Sequence, residues 1–396
     1  MDKLLYISTG IPKEQVAQLR EKQFDFSSNA LLPISVFHGN LLAGLAENYD
    51  EVTALCGVPI SRRNFNIWHY STRKIQNEKV QYVIPGFFNI SIVKQIMTII
   101  KIWWHIVLWS WKNGKHNRYI IIDGTFYTGL IALRLASFFR GVKIGAIMVD
   151  YYSYMNSIRE TITQKIYYQL LRPVDFFMFV TEELQKVVNI HKKPYMIIEG
   201  VVDVQQKASE LVESGGYCIY AGGLHEIYGV DRLVDAFHAS QIPYSLHLYG
   251  SGELIDYIRK IEKEDPRIVY KGILAHDELL EVERRAKLLI NPRPVRGKLD
   301  TRFNFPSKLM EYMQSGRPVI TTKLLGIPEE YEQKMYFFED DTTEAIKQGI
   351  EKILELDEQV LKAFGEQARD YVNENKNNVE VGRKIFCLMN AGEDRV

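Results

Sequence analysis

Short apolar segments that end in Gly or Asp alternate with helical stretches along the whole 396-residue chain. The apolar runs are continuous, which predicts strands that are buried on both faces of a sheet. Strands that alternate with helices in this way form parallel sheets joined by right-handed crossovers. The segments with this pattern are LLYIST (4–9), YIIIDG (119–124), KIGAIMVD (143–150), FFMFV (176–180), YMIIEG (195–200), YCIYAGG (217–223), SLHLYGSG (245–252), RIVYKG (267–272), KLLINP (287–292), PVITT (318–322) and MYFFED (335–340).

One polar segment interrupts the alternation, at residues 201–216 (VVDVQQKASELVESGG). It has no strand pattern and ends in two glycines, which is typical of a linker between domains. The chain is also too long for one ordinary core. We therefore predict an α/β protein with two doubly wound parallel-sheet domains facing a cleft, at 1–203 and 213–376. The C-terminal helix within 377–396 is expected to pack back on the first domain.

Composition narrows the class of protein. Lys and Arg together number 49, as do Asp and Glu, so the chain lacks the overall positive charge of a nucleic-acid binder. Cys56, Cys218 and Cys387 have no metal-binding or redox spacing, which predicts buried thiols in a reducing compartment. The N-terminus runs directly into a strand pattern without a leader, so we expect a cytoplasmic protein.

Ligands of doubly wound sheets bind beyond the carboxyl ends of the strands. In the second half these ends carry several glycines and one cationic loop. Glycine lets the backbone approach a ligand closely, although ordinary turns also explain any single glycine. Together they favour an anionic ligand, and the absence of Gly-x-Gly-x-x-Gly after the first strand argues against a dinucleotide. The residues concerned are Gly222, Gly223, Gly250, Gly252, Gly272 and Arg293.

The segment FNFPSKLMEYMQSGRPVI (303–320) predicts a short amphipathic helix followed by a buried strand. At 100° per residue, Ser307, Lys308, Glu311 and Ser315 fall on one polar side. Gly316, with a proline two residues later, ends the helix. On this segment alone, an ordinary solvated helix face is favoured over a binding site.

Five segments in chain order resemble the nucleotide-recognition domain of family 4 retaining glycosyltransferases, which have the GT-B fold. They are YAGGLHEIYGVDRLVDAF, LYGSGE, VYKGILAHDEL, LLINPR and FPSKLMEYMQSGRPVI, within residues 217–325. The last is the most specific and is similar to members that assemble bacterial surface polysaccharide. The resemblance implies an enzyme that transfers a sugar from a UDP- or GDP-linked donor to a glycan or lipid-linked glycan. It also implies that no metal or other cofactor is needed.

The same resemblance assigns roles to several residues of the second half. Glu311 would accept hydrogen bonds from the ribose hydroxyls. Ser307 and Lys308 would contact phosphate oxygens, and the backbone at Gly272 and Ile273 would read the base. These roles belong to the family's motif and are carried over position by position.

The chain departs from the family's pattern at three positions. Phe303 stands where many members have a glutamate that contacts the donor sugar. Gly223 and Tyr228 stand where an arginine and a lysine usually hold the pyrophosphate. The identity of the donor sugar therefore stays open, and the positive charge for the pyrophosphate must come from elsewhere.

The cations available for this purpose lie in the segment NPRPVRGKLDTRFNFPSK (291–308). Charge on the leaving group has to be stabilised in the transition state, which is usually the largest catalytic effect. We expect Arg293 and Lys308 to do this, with Arg302 third, and we count Lys308 among the catalytic residues. Arg296 and Lys298 are interpreted as solvated loop residues.

On the acceptor side, the candidates lie at strand ends of the first half. His38 is expected in a strand-to-helix loop facing the cleft, as a catalytic group or as a structural histidine. Asp150 follows a strand and is a second catalytic candidate. Asp123 could contact the acceptor, although capping the next helix is the favoured role. Tyr151 could stack on an acceptor sugar or line a solvated loop.

The segment 89–115 has a narrow polar stripe of Lys94, Thr98, Lys101 and His105 on an otherwise apolar helix. Each lysine would cost about 2.5–3.5 kcal/mol at a bilayer centre, which argues against a membrane-spanning helix. Two interpretations stay open. The helix lies in the interface of a membrane as a peripheral contact, or it is a deeply buried crossover helix.

Two alternatives to a transferase of surface polysaccharide synthesis stay open, and the first follows from the departures. A degenerate, non-catalytic subunit would keep the fold and bind nucleotide sugars without turnover. Another nucleotide-sugar reaction on the same fold, such as epimerisation or glycogen-type elongation, is the second alternative. Epimerisation is disfavoured because the sequence shows no clear pair of acid and base carboxylates.

Overall fold

A computed structural model describes residues 1–24, 31–77, 79–137, 141–150, 160–204, 214–295 and 301–390. The chain divides into two compact units. The first comprises Met1–Val201 and Asn377–Val396, and the second comprises Val202–Lys376. The unit boundary falls at the start of the segment 201–216, whose residues 205–213 lie outside the described ranges.

The elements of the described ranges are numbered in chain order. The strands are β1 (Asp2–Ser8), β2 (Glu51–Cys56), β3 (His69–Tyr70), β4 (Arg73–Asn77), β5 (Val80–Ile84), β6 (Phe87–Phe88), β7 (Asn117–Asp123), β8 (Val142–Met148), β9 (Phe176–Phe179), β10 (Tyr195–Ile197), β11 (Tyr217–Ala221), β12 (Ser245–Tyr249), β13 (Ile268–Gly272), β14 (Leu288–Asn291), β15 (Val319–Thr322) and β16 (Tyr336–Phe338). The helices are α1 (Lys13–Arg20), α2 (Leu31–Leu45), α3 (Ser91–Lys112), α4 (Tyr127–Ala136), α5 (Glu160–Leu170), α6 (Glu182–Val188), α7 (Val230–His238), α8 (Ile255–Glu264), α9 (His276–Arg284), α10 (Lys308–Gln314), α11 (Thr343–Leu354), α12 (Glu358–Asn375) and α13 (Asn378–Asn390).

The first unit is built on a sheet with the strand order β10-β9-β8-β7-β1-β2-β5-β4. Its strands pair in parallel except for β4, which runs antiparallel to β5 at the edge. The chain order reverses between β1 and β7, which makes the carboxyl ends of these two strands the topological switch point. The apolar runs predicted most of this sheet, but β2, β4 and β5 were missed.

The second unit holds a sheet in which every strand pair of the described residues is parallel, with the order β13-β12-β11-β14-β15-β16. The chain order reverses between β11 and β14. Ligands of such sheets bind at that point, beyond the carboxyl ends. The prediction of an α/β fold with parallel sheets in two domains is confirmed.

The C-terminal helix α13 belongs to the first unit and packs on α2 through two glycines. A Cβ atom on Gly44 would lie 1.7 Å from the carbonyl oxygen of Asn378, and one on Gly382 would lie 2.4 Å from backbone atoms of Gly44. The Tyr49 hydroxyl completes the contact by hydrogen-bonding Met389 Sδ at 3.1 Å. Only glycine allows so close an approach of two helix backbones.

Cys56 and Cys218 are buried, as predicted, and burial raises the pKa of each thiol to about 12. Cys387 is exposed, so the prediction was wrong for this residue. It lies on the solvent side of α13, whose other face packs on the core through residues such as Ile385. An amphipathic helix has room for a thiol on either face.

Candidate functional site

The strand order of the second unit brings most predicted donor-site residues to one edge of the sheet. The carboxyl ends of β13, β12, β11 and β14 follow one another there, about 4.8 Å apart. Arg293 and the pair Gly222-Gly223 follow the two strands that flank the switch point. The other predicted residues of this edge are Gly250, Gly252, Gly272 and Ile273.

Two of the glycines are explained by packing between neighbouring loops, and a third by its backbone conformation. A Cβ on Gly250, whose φ is +135°, would lie 1.8 Å from the carbonyl oxygen of Gly222. A Cβ on Gly252 would lie 2.1 Å from the carbonyl oxygen of Leu224. Gly272, with φ +78°, faces open space, so only its backbone conformation favours glycine. The loops therefore need Gly250 and Gly252 whether or not a ligand binds.

Arg293 lies beside the position where the family usually has a cation. A Cβ on Gly223 would lie 2.7 Å from the Tyr228 ring, which fills that space. The Arg293 guanidinium carbon lies 5.6 Å from the centroid of the same ring, within cation–π range. The side chain from the end of β14 thus brings positive charge next to the end of β11.

Lys308 shares its charge between two carboxylates. Its Nζ lies 2.7 Å from Glu311 Oε2 and 3.0 Å from Glu283 Oε1. About a quarter of the Lys308 and Glu311 side chains is exposed (26% and 25%), whereas Glu283 is fully buried. Burial lowers the pKa of Lys308, but Glu283 and Glu311 together raise it well above its usual value. The lysine is therefore a fixed cation at the start of α10.

The two predicted cations act electrostatically on the same buried tyrosine, Tyr220. Burial, and then Tyr228, raise the pKa of Tyr220 well above its usual value, whereas Arg293 and Lys308 both act to lower it. The Tyr220 hydroxyl donates to the carbonyl of Gly223 at 2.9 Å. The fold thus gathers Arg293 and Lys308 around the end of β11.

Helix α10 is anchored to the end of β11 by the buried Tyr312, whose hydroxyl accepts a hydrogen bond from Ala221 N at 2.8 Å. Gly316 has φ +77° and ends the helix as predicted. The prediction that Ser315 lies on the exposed polar side was wrong, since it is buried and its hydroxyl donates to the Tyr312 carbonyl at 2.6 Å. Ser307 is exposed at the N-cap and its side chain caps no backbone N–H.

Glu283 titrates near neutral pH because of its position. Burial raises the pKa of its carboxyl to about 7; Lys308 opposes this rise, while Glu311 adds to it and Arg284 opposes it more weakly. The carboxylate atom Oε2 has no hydrogen-bond partner within the described parts of the chain. A buried charge without full compensation destabilises the folded state.

A Glu283→Gln variant should therefore gain thermal stability relative to the wild type as pH rises. Between pH 4.5 and about 7 the folded protein keeps a proton that the unfolded chain releases, so rising pH lowers the free energy of unfolding. Glutamine removes this loss. The Tm difference, variant minus wild type, should increase from about pH 5 to about pH 7.5 in differential scanning fluorimetry.

Glu281→Gln is the matched control for this prediction. Glu281 lies on the same helix α9, is exposed, and pairs with Arg284 at 2.5 Å. Exposed pairs contribute about 0–1 kcal/mol, so its Tm difference should stay flat with pH. A flat or falling difference for Glu283→Gln would contradict the raised pKa.

The remaining donor-side residues lie on the same unit. Arg302 is exposed, and its guanidinium carbon lies 5.1 Å from the centroid of the Phe303 ring. Phe303 therefore offers an aromatic surface where the family has a glutamate. Ile273 is 48% exposed at the end of β13. The predictions for Arg296 and Lys298 fall outside the described residues.

In the first unit, the structure corrects the position of His38. The residue lies inside α2 and is buried, whereas the sequence predicted an exposed loop. Its Nδ1 lies 2.6 Å from the Tyr6 hydroxyl and its Nε2 lies 3.3 Å from Asp123 Oδ2. The ring is thus enclosed by core groups, and its predicted direct contact with donor or acceptor has no exposed surface to support it.

Asp123 ends β7 at the switch point of the first sheet but is buried as well. Its Oδ1 accepts hydrogen bonds from Thr125 N at 2.8 Å and Thr125 Oγ1 at 2.6 Å. Burial opposes ionisation, but the hydrogen bond from His38 and the bonds from Thr125 hold the pKa of Asp123 below its usual value. The N-cap of α4 is Phe126, so Asp123 forms a turn before the helix and does not cap it.

Asp150 lies two residues after the end of β8 and is half-buried, which agrees with its predicted location. The prediction for Tyr151 falls outside the described residues. Within those ranges, no cluster of three or more His, Cys, Asp and Glu side chains has a metal-binding arrangement. The expectation that no metal is needed stays a prediction.

Residues 215–356 match the family model described as Glycosyl transferases group 1. The chain carries a glycosyltransferase group 1 domain. The matched range contains every donor-site residue described above, from Gly222 to Glu311. The match covers about a third of the chain and identifies this part of it as a glycosyltransferase domain.

Solved structures show the fold of the whole chain. Sucrose-phosphate synthase from Thermosynechococcus elongatus matches with a TM-score of 0.67 and 14% identity over 100% of both chains. Anabaena Alr3699/HepE in complex with UDP matches at 0.61 and 12% identity, over 97% of this chain and 98% of that one. A mutant of S. aureus TarM in complex with UDP matches at 0.57 and 14%, over 84% of this chain and 66% of TarM. These likenesses show the GT-B fold. A search of curated protein sequences finds no match.

Glu283 is the residue of the glycosyltransferase domain that the sequence interpretation missed. A local signal exists, because Glu283 is four residues after Leu279 and three before the buried Ala286, on the apolar side of α9. A charged residue in that position needs a buried partner. That the partner is Lys308, 25 positions further along the chain, follows only from the fold.

Proposed function

We propose that the protein is a family 4 retaining glycosyltransferase. It transfers a sugar from a UDP- or GDP-linked donor to a glycan or lipid-linked glycan acceptor in bacterial surface polysaccharide synthesis. The observation that carries this proposal is the pairing of Glu311 with Lys308 at the start of α10, inside the matched domain. Two of the structural neighbours were solved with UDP, which supports a uridine nucleotide as the first ligand to test.

In the proposed donor complex, the Glu311 carboxylate accepts hydrogen bonds from the ribose hydroxyls. Lys308 and Arg293 contact the diphosphate, with Ser307 and Arg302 as further contacts. The base lies over Gly272 and Ile273. The strand order supports this arrangement. It runs from β13, where the nucleotide base would lie, to the switch point between β11 and β14, where the two cations lie.

The proposed reaction needs little covalent help from the protein. The bond between the anomeric carbon and the diphosphate oxygen breaks, and the bond to the acceptor oxygen forms on the same face. The acceptor's proton passes to the departing phosphate oxygen. Negative charge develops on the diphosphate, so fixed cations next to it lower the barrier. Lys308 and Arg293 are the residues proposed for this role, and Asp150 is the proposed polar group on the acceptor side.

A non-catalytic binding subunit is the second candidate function. Gly223 and Tyr228 at the family's cation positions, and Phe303 at its glutamate position, favour it. Such a subunit would bind the nucleotide through Glu311 and Lys308 without turning it over. The two candidates therefore differ in catalysis and agree in binding.

A ligand panel tests both candidates. We expect UDP or GDP to raise the Tm of the purified chain. A nucleotide at a hundred times its dissociation constant adds ~2.7 kcal/mol to the free energy of unfolding. ADP serves as the comparison nucleotide. Release of nucleotide from at least one sugar donor would support the enzyme. Binding without hydrolysis or transfer of any donor would favour the binding subunit, and no binding at all would overturn both.

A lipid-linked acceptor would bring the enzyme to a membrane surface. We therefore include peripheral membrane contact through residues 89–115, on the cytoplasmic face, in the proposal. The donor nucleotide sugar is a co-substrate, and no resident cofactor is proposed.

A further inference from the structure

The 22-residue helix α3 exposes its apolar side and buries little of its length. Its large apolar residues recur every fourth position, so they form one continuous stripe along the helix. These side chains are between 43% and 78% exposed. The stripe consists of Ile92, Ile96, Ile100, Trp104, Leu108 and Trp111. The interpretation of this segment as a deeply buried crossover helix was therefore wrong.

The polar stripe of α3 points toward the protein, the reverse of an ordinary surface helix. Lys94 Nζ donates to the carbonyl of Val58 at 2.8 Å and to that of Ile60, and Lys101 Nζ donates to the carbonyl of Gly86 at 2.6 Å. Burial lowers the pKa of Lys94 to about 8. Both lysines are thus held by backbone carbonyls, which fixes the helix with its apolar side outward.

Neighbouring residues extend the apolar surface beyond the start of α3. Phe88 and Ile90 directly precede the helix, and Trp68 is linked to it because Asn89 N donates to the Trp68 carbonyl at 2.8 Å. All three of these apolar side chains are about half exposed or more. Helix α3 alone is about 33 Å long. A patch of this size on a protein surface marks a site of interaction.

The charge around the patch has one sign. Residues 57–118 contain ten Lys and Arg and a single acidic residue, Glu78, although the whole chain is neutral. Arg62 and Arg63 are exposed at the end that carries Trp68, and Lys112 and Lys115 are exposed at the other end. Exposed tryptophans between cations and aliphatic residues are typical of a surface that lies in lipid headgroups.

We propose that this surface, the α3 stripe with Trp68, Phe88 and Ile90, binds the interface of a membrane rich in anionic lipid, with α3 parallel to the membrane plane. A second copy of the chain fits less well, since a two-fold contact would bring the same cations together. A spanning orientation is disfavoured because Lys94 and Lys101 are bonded to the protein on the inner side. The inference rests on the membrane contact included in the proposed function and specifies its surface and orientation, and it can be measured without donor or acceptor.

Vesicle flotation tests the proposal on the full-length chain. We expect it to float with vesicles of phosphatidylglycerol and phosphatidylcholine at equal amounts, and less with phosphatidylcholine alone. Ile96→Gln/Ile100→Gln should weaken partitioning about tenfold or more, since two half-exposed isoleucines lose their transfer into lipid. The matched control is Ile190→Gln/Val360→Gln, at positions of similar exposure (52% and 51%), which should float like the wild type.

The outcomes separate lipid from self-association and from catalysis. A chain that never floats, or floats equally after Ile96→Gln/Ile100→Gln, overturns the proposal. Light scattering on a size-exclusion column measures the oligomeric state. If the wild type is a dimer that does not bind vesicles, and Ile96→Gln/Ile100→Gln is a monomer, the surface instead binds a second copy of the chain. Flotation of a chain that transfers no sugar would leave this inference standing and reject the proposed function alone.

Discussion

Replacing Lys308 with methionine is expected to slow sugar transfer about 100- to 1,000-fold, which is the usual effect of removing one group that stabilises developing charge. Lys308 is a cation held 2.7 Å from Glu311 and 3.0 Å from Glu283. Charge on the departing diphosphate grows in the transition state, so kcat should fall more than the affinity for UDP. Steady-state kinetics and UDP titration on the same preparation measure the two.

The Lys308→Met change also leaves Glu283 and Glu311 without their shared cation. A loss of stability could therefore also lower the activity of Lys308→Met. The double variant Lys308→Met/Glu283→Gln controls for this effect, because glutamine takes away the buried charge. We expect the double variant to fold at least as well as Lys308→Met and to transfer sugar no faster. Recovery of transfer in the double variant would show that Lys308 acts only by neutralising Glu283.

Lys186→Met is the matched control for Lys308→Met. Lys186 also pairs with a glutamate three positions away, Glu183, at 2.6 Å, but the pair is exposed and belongs to the first unit. Such pairs contribute about 0–1 kcal/mol to stability. Transfer by Lys186→Met should match the wild type, and equal losses in both lysine variants would contradict a specific role for Lys308.

Strands and helices could be predicted where the local sequence has a clear pattern of apolar residues. Continuous apolar runs identified β11 to β16, of which the inner strands such as β14 and β15 are almost fully buried and the edge strands β13 and β16 are partly buried. Strand β4 (RKIQN) was missed because it is an exposed, antiparallel edge strand without an apolar run. The segment VFHGN around His38 was taken for a loop, although it lies inside α2, because glycine is a poor helix former. The reason for Gly44 is the contact with α13, more than 330 positions away.

The candidate site divides in the same way. The spacing of Lys308 and Glu311 put them on one helix side, and the structure pairs them. Their third partner, Glu283, comes from another helix, and no local pattern connects it to Lys308. Which side of α3 faces the protein could also not be predicted from the sequence. An amphipathic helix has two sides, and tertiary contacts decide between them. In α3 these contacts are the hydrogen bonds to the carbonyls of residues 58, 60 and 86.

Replacing Glu311 with alanine should weaken UDP binding about 10- to 100-fold. One charge-assisted hydrogen bond from a ribose hydroxyl contributes about 1.5–3 kcal/mol, so this factor corresponds to the net loss of about one such bond. A quarter of the side chain is exposed, so the carboxylate is accessible to a ligand while Lys308 fixes its position. Isothermal titration with UDP measures the loss, and Glu281→Ala on α9 is the exposed-glutamate control.

A modified nucleotide makes this test specific to the ribose. With wild-type protein, 2′-deoxy-UDP should bind more weakly than UDP, because the Glu311 carboxylate loses one donor. With Glu311→Ala, the two nucleotides should bind almost equally, since the acceptor of that bond is gone and the two changes are coupled. If Glu311→Ala still distinguishes UDP from 2′-deoxy-UDP by the full wild-type factor, the ribose is held elsewhere. The donor site described for α10 would then be wrong, even if the protein binds UDP tightly.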